Sequence, residues 1–166
     1  VNDMRDELAE VIKGLYAGPG CVDLDNYGIS VDAIITLEPS CPAEASGASR
    51  EVYPIRDMEV EPIGNTAGAI AAIARLLGQG RRVYVHCYAG CGRTGTVVSG
   101  YLVLFHNMTP EEAVNLFEGA RGCGPESEEQ LMLLDLLEVM RRKLGPWGTI
   151  RELTQGMGLG DALSGL

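Results

Sequence analysis

Residues 86–95 read His-Cys-Tyr-Ala-Gly-Cys-Gly-Arg-Thr-Gly, a run that leaves a chain few ways to fold around it. A β-branched stretch, Val83-Tyr84-Val85, leads into it. A helix-patterned apolar run follows, with Val97, Val98, Tyr101, Leu102 and Phe105. The pattern predicts a strand, a tight loop and a helix. Gly90, Gly92 and Gly95 allow the main chain to curl closely, which brings backbone N–H groups and a helix N-terminus around one small anion.

The side chains in this loop suit chemistry on that anion. Cys87 is a nucleophile if it ionises, and a free cysteine does so only near pH 8.5, so a thiolate at neutral pH needs a positive surrounding of about this kind. Arg93 offers a planar fork for two oxygens of a phosphate and for the extra charge of its transition state. The hydroxyl of Thr94 is placed to hydrogen-bond the sulfur and ease its departure. The plainer reading is a buried cysteine in an ordinary strand–turn–helix, and the glycines, the arginine and the flanking elements together argue against it.

His-Cys, five residues, Arg and then Thr resembles the signature of the cysteine-dependent protein phosphatases, and Gly92-Arg93-Thr94-Gly95-Thr96 is most similar to the small dual-specificity type. The resemblance implies an α/β domain. In it, Tyr88, Ala89, Gly90, Cys91, Gly92 and Arg93 bind phosphate, and His86 organises the loop. It also implies a general acid, an aspartate on a loop about thirty residues before the cysteine. Asp57 stands thirty positions before Cys87, in Tyr53-Pro54-Ile55-Arg56-Asp57-Met58, with Arg56 where small dual-specificity enzymes often carry proline. Glu59 and Glu61 are nearby rivals. Arg121 to Gln130 resembles the loop whose glutamine positions the hydrolytic water, with Gly122 in place of the usual proline. Gln130 equally completes a capping box with Ser127, a structural role. Glu126 is read either as lining the pocket mouth or as an acid in a first helical turn.

The implied reaction is phosphomonoester hydrolysis through a phosphocysteine, with no metal or cofactor. The expected substrate is a phosphorylated protein or peptide, carrying phosphotyrosine and phosphoserine or phosphothreonine. The alternatives are a phosphoinositide, an RNA 5′-triphosphate, or phosphate binding without catalysis. Phosphoinositide enzymes of the superfamily tend to carry lysines inside the loop, whereas Tyr88, Ala89 and Cys91 add no charge. A net charge of −10 disfavours nucleic acid and acidic membranes as partners.

The 166 residues suit one domain with its own core. No apolar stretch approaches bilayer-spanning length. The five cysteines, Cys21, Cys41, Cys87, Cys91 and Cys123, form no evident paired framework or metal-ligand spacing, so a reduced, cytoplasmic setting is expected. Cys91 is placed either to trap an oxidised Cys87 as a disulfide or simply to fill the loop wall. Strands are expected at Leu15–Ala17, Val31–Leu37, Glu51–Ile55 and Val83–Cys87, and residues 1–13 as a short helix or lead-in. Helices are expected after a cap at Asn65 or Thr66, after the signature, after Thr109-Pro110-Glu111-Glu112, and after Ser127. The fold class is thus α/β, a short, mixed, largely parallel central sheet flanked by helices. The catalytic domain is expected over residues 1–145, with 146–166 a C-terminal extension holding a short helix or a mobile tail.

Overall fold

The computed structural model describes residues 7–155. Strands β1 (Ala9–Ile12), β2 (Leu15–Gly18), β3 (Ala33–Thr36), β4 (Ser49–Val52) and β5 (Val83–His86) form one sheet in the order β1-β2-β5-β3-β4. β1 runs antiparallel to β2, and every other pairing is parallel. This is the mixed, largely parallel sheet expected. The signature strand β5 lies at its centre, with Val83, Tyr84, Val85 and His86 all fully buried. In open parallel sheets, ligands bind beyond the C-terminal ends of the strands. His86 is that end, and Cys87 follows it.

Strand side chains alternate between the two faces of a sheet. Leu15, Ala17, Ala33, Ile35, Val83 and Val85 join the main core, to which four helices contribute: α1 (Ile63–Gly78), α2 (Gly92–Phe105), α3 (Pro110–Arg121) and α4 (Glu128–Thr154). Tyr16, Ile34 and Tyr84 form a smaller cluster with Leu8, Leu24, Val31 and Ala43. That cluster holds no α-helix residue. It is closed by loops and a 3-10 turn at Leu24–Tyr27, which the sequence did not reveal.

The first strand is a correction. Residues 9–12 are not helical but form an edge strand whose pairing shifts between Glu10 and Ile12, and residues 1–6 lie outside the described residues. A second correction concerns α1, which begins at Ile63 after Pro62, two residues ahead of the expected caps. The would-be capping side chains are used elsewhere. Asn65 Nδ2 donates to Pro54 O at 2.8 Å, and Thr66 Oγ1 donates to Val60 O at 2.7 Å. Glu61 Oε2 accepts from Ile63 N at 2.8 Å instead. Both side chains therefore tether the two ends of the loop that carries Asp57. The expected capping boxes at Thr109–Glu112 and Ser127–Gln130 are both formed.

The Gly145-Pro146 break divides α4 into two helical segments across a kink. Gly145 leaves helical geometry at φ 74° and ψ 172°, and the chain resumes as helix to Thr154. Of the segment assigned to an extension, Ile150 and Leu153 are buried in the main core, and Trp147 packs edge-on against Phe105 at 5.0 Å. Residues 156–166 lie outside the described residues. Leu153 is only 1% exposed, so Leu153→Ala should destabilise the whole domain by about 2–5 kcal/mol, seen as a lowered urea midpoint. An unchanged midpoint would show that this second helical segment does not belong to the core.

Candidate active site

Every backbone carbonyl near the start of the signature loop is drawn outward. Tyr88 O accepts from Gly20 N at 3.0 Å. Ala89 O and Gly90 O accept from Arg121, at 3.1 Å from Nη2 and 3.3 Å from Nε. A planar trans peptide points its N–H opposite to its carbonyl, so these contacts turn the loop amides toward the interior of the curl. Among the described residues, none of the N–H groups of residues 88–91 donates to another main-chain group. Gly90 is required here. Its φ is +76°, and a Cβ would collide with the Gly18 carbonyl. Helix α2 begins at Gly92 and adds the positive end of its dipole to the same point.

Cys87 lies on a cavity of about 370 Å³ lined by Glu38, Asp57, Met58, Cys87, Tyr88, Ala89, Gly92, Arg93 and Glu126. Cys87 and Arg93 of the signature and Asp57, thirty residues before it, thus share one pocket. Arg93 is 5% exposed and locked from behind. Its Nη1 donates to Glu38 Oε1 at 2.8 Å and to Ile55 O at 2.9 Å. The hydrogen bond from Arg93, with another from Ser40, holds the Glu38 carboxyl below the usual carboxylate range. Arg93 Nε is buried without a hydrogen-bond partner, 3.6 Å from Asp57 Oδ1. An orphaned buried N–H is costly, and a phosphate oxygen would satisfy this one.

Asp57 is exposed on its loop, and its rivals are engaged. Glu59 pairs with Arg56 at 3.0 Å, and Glu61 holds the start of α1. Neither lines the pocket. Met58 beside Asp57 has φ 66°, a left-handed conformation uncommon for a side chain of its size.

Gln130 is fully buried, and each end of its amide has a different situation. Oε1 accepts from Glu126 N at 2.8 Å and Ser127 N at 3.1 Å, which is the capping role. Nε2 has no partner and lies 3.3 Å from the position a Cβ would take on Gly92. Thr94 Oγ1 is buried and also unpartnered, so the structure does not pair it with the sulfur of Cys87.

His86 is buried at the end of β5, and its role was only partly visible in sequence. Its Nδ1 lies 2.9 Å from Cys87 O, and a carbonyl only accepts, so Nδ1 carries the proton. Nε2 then accepts from Ala43 N at 3.3 Å and from Thr36 Oγ1 at 2.9 Å. Arg50 in turn donates to Thr36 Oγ1 and to Ala43 O. Arg50 and Thr36 carry no motif, and Arg121, which opens the stretch matched to the glutamine loop, was not marked as a support of the signature loop.

The cysteine expectation is overturned. Cys91 is bonded to Cys123 and Cys21 to Cys41, which leaves Cys87 the one free thiol among the described residues. Cys91 therefore does not stand ready to trap Cys87. Its bond joins the signature loop to the α3–α4 loop, and the other bond joins the loops that follow β2 and β3. Irregular spacing hid both pairs, because each spans separate loops that only the fold brings together. With them goes the premise of unpaired cysteines on which a reduced setting rested. No helix among the described residues is long and apolar enough to cross a membrane.

Burial holds the His86 pKa below its ordinary 6.5. As pH falls below 6.5 the unfolded chain takes up a proton that the folded one refuses, so stability present above that pH is lost by up to about 1.4 kcal/mol per pH unit. The loss stops once the pH passes below the depressed folded value. Urea midpoints between pH 7.5 and pH 5 should show this loss in the wild type and a weaker one in His86→Asn. Equal pH dependence in the two proteins would mean His86 is not held neutral.

The comparisons with known proteins agree with this geometry. A model of the dual specificity phosphatase catalytic domain matches residues 22–138. Dual specificity protein phosphatase 2 of Mus musculus is 29% identical over 118 residues, covering 68% of this chain and 37% of that protein. Phosphatidylglycerophosphatase and protein-tyrosine phosphatase 1 of Rattus norvegicus is 54% identical over 55 residues, covering 33% of this chain and 28% of that protein. The chain thus spans well under half the length of these curated relatives. Among solved structures, DUSP15 superposes with a TM-score of 0.73 at 21% identity, covering 92% of this chain and 98% of that one. PTPMT1 in complex with PI(5)P superposes with a TM-score of 0.71 at 19% identity, covering 83% and 98%. A family match over most of the chain, on a fold that places Cys87 and Arg93 in one anion cradle, makes this protein a member of the dual-specificity phosphatases.

Proposed function

We propose that this domain hydrolyses phosphomonoesters on proteins, phosphotyrosine and phosphoserine or phosphothreonine alike, through a phosphocysteine. The observation that carries the reading is the free Cys87 in a pocket where Arg93 is fixed at one end and presents an Nε without a hydrogen bond at the other. The dianion sits among the loop amides of residues 88–93 and the Arg93 guanidinium. The Cys87 thiolate attacks phosphorus, so an S–P bond forms as the P–O bond to the leaving group breaks. Asp57, entering protonated, gives its proton to the departing oxygen. Arg93 and the amides hold the charge that builds on the equatorial oxygens.

Water then attacks phosphorus, the S–P bond breaks, and Asp57, now a carboxylate, takes the water's proton. Inorganic phosphate leaves. We assign the orienting of that water to Gln130 Nε2, which has no other hydrogen bond, while Oε1 of the same side chain keeps the helix cap. Thr94 Oγ1, which has no hydrogen-bond partner before substrate binds, turns to the sulfur and supports it as it departs. His86 donates to Cys87 O and holds the nucleophile's backbone in place. A lipid-borne phosphomonoester is the second reading, favoured by the relative named as a phosphatidylglycerophosphatase. The lack of lysine at positions 88, 89 and 91 weighs against it.

Hydrolysis of an aryl phosphate and of phosphotyrosine and phosphoserine peptides should be abolished by Cys87→Ser. Activity surviving that change would remove the phosphocysteine. Asp57→Asn should reduce kcat on the order of 100-fold or more for alkyl phosphates and far less for aryl phosphates with good leaving groups. An equal loss across leaving groups would place the acid elsewhere.

A further inference from the structure

The charge around the pocket is lopsided. Three of its nine lining residues are carboxylates, Glu38, Asp57 and Glu126, against a single cation, Arg93. That cation is already engaged, by Nη1 with Glu38 and by Nε with Asp57 at 3.6 Å. Asp57 has the leaving group to serve. The nearby arginines are committed too: Arg56 pairs with Glu59, and Arg121 is buried against the loop carbonyls.

Glu126 is the carboxylate left over. It is exposed at the pocket edge, and its side chain has no hydrogen-bond or ion-pair partner among the described residues. Its Oε1 stands 3.1 Å from the position a Cβ would take on Gly92, so an uncompensated negative charge overhangs one end of the phosphate cradle. Tyr88, 65% exposed, lies on the same pocket and offers an aromatic face. A carboxylate without a cation and an open tyrosine ring on one pocket make a setting that attracts lysine or arginine.

Resting on the phosphomonoesterase reading above, we infer that Glu126 selects phosphopeptides that carry a lysine or arginine beside the phosphorylated residue. The peptide's phosphate is held by the loop and Arg93, and its neighbouring cation pairs with Glu126 over the Tyr88 ring. The same arrangement rejects a substrate with a second phosphate or an acidic neighbour. That extra charge would meet Glu126 and Glu38 with no cation to receive it. Chain-wide charge of −10 reinforces this by drawing basic segments toward the protein.

The test compares kcat/KM for two phosphopeptides that differ only in having arginine or glutamate on either side of the phosphoresidue. An aryl phosphate and a polyphosphorylated inositide in mixed micelles complete the panel. The wild type should favour the arginine peptide about ten-fold, the difference lying mainly in KM, and 0.5 M salt should bring the ratio close to one, as expected of an exposed pair. Glu126→Gln should shrink the ratio and Glu126→Lys should invert it. The main-chain N–H of residue 126 that donates to Gln130 remains in both variants. Hydrolysis of the aryl phosphate with a peptide ratio within two-fold overturns the selectivity and leaves the phosphatase reading standing. So does a ratio that Glu126→Lys leaves unchanged, or an inositide turned over faster than the arginine peptide. A wild type inactive on the whole panel, aryl phosphate included, overturns the phosphatase reading itself and this inference with it.

Discussion

The orientation of a few peptide units between β5 and α2 is the constraint on which the rest of this molecule depends. Backbone amides bind an anion only if their carbonyls are satisfied on the far side, and a buried carbonyl without a donor is expensive. Here those donors come from outside the loop. Arg121 reaches Ala89 O and Gly90 O, Gly20 N reaches Tyr88 O, and His86 reaches Cys87 O. Each donor stands on a different element. The loop is therefore a product of the assembled sheet and helices, although its residues are contiguous. The two disulfides act on the same region, one joining the signature loop to the α3–α4 loop and the other joining the loops beyond β2 and β3.

Charge is organised around that point at two ranges. Close in, the amides, the N-terminus of α2 and Arg93 make a compact positive spot. Arg93 is buried and would be costly alone, and Glu38 with Ile55 O compensates it while leaving Nε toward the pocket. Farther out, carboxylates on the pocket walls and across a chain of net charge −10 surround the spot. On the proposed reading, a phosphate is bound at this one spot on a body that otherwise repels anions. Capture of a nucleic-acid backbone, which needs an extended basic surface, does not fit this pattern.

What was legible in the sequence follows from locality. The strand, loop and helix around Cys87 could be read because glycine, cysteine and arginine sit at fixed offsets within one decapeptide. The capping boxes at Thr109 and Ser127 could be read because a cap is decided within four residues. The support of the loop could not. Thr36 reaches His86 across 50 residues and Arg121 reaches Gly90 across 31, while Arg50 joins Thr36 across 14, and no local pattern reports such contacts. Asn65 and Thr66 misled for the converse reason: local chemistry suited them to cap a helix, and tertiary contacts with Pro54 O and Val60 O claimed them. The edge strand β1 was missed because four residues beside a tight turn carry too little periodicity to separate strand from helix. The cysteine pairs, 20 and 32 residues apart with a fifth cysteine unpaired, offered no spacing to read.

The proposed reaction turns on covalent chemistry at one sulfur. Its most direct test is rapid acid quenching of the Gln130→Ala protein during turnover of a 32P-labelled phosphopeptide, followed by peptide mapping. Slowed attack by water should let the intermediate accumulate, with label on the peptide that contains Cys87 in an amount approaching that of the enzyme. Label on any other residue, or a burst of dephosphorylated product with no protein-bound label, would contradict it.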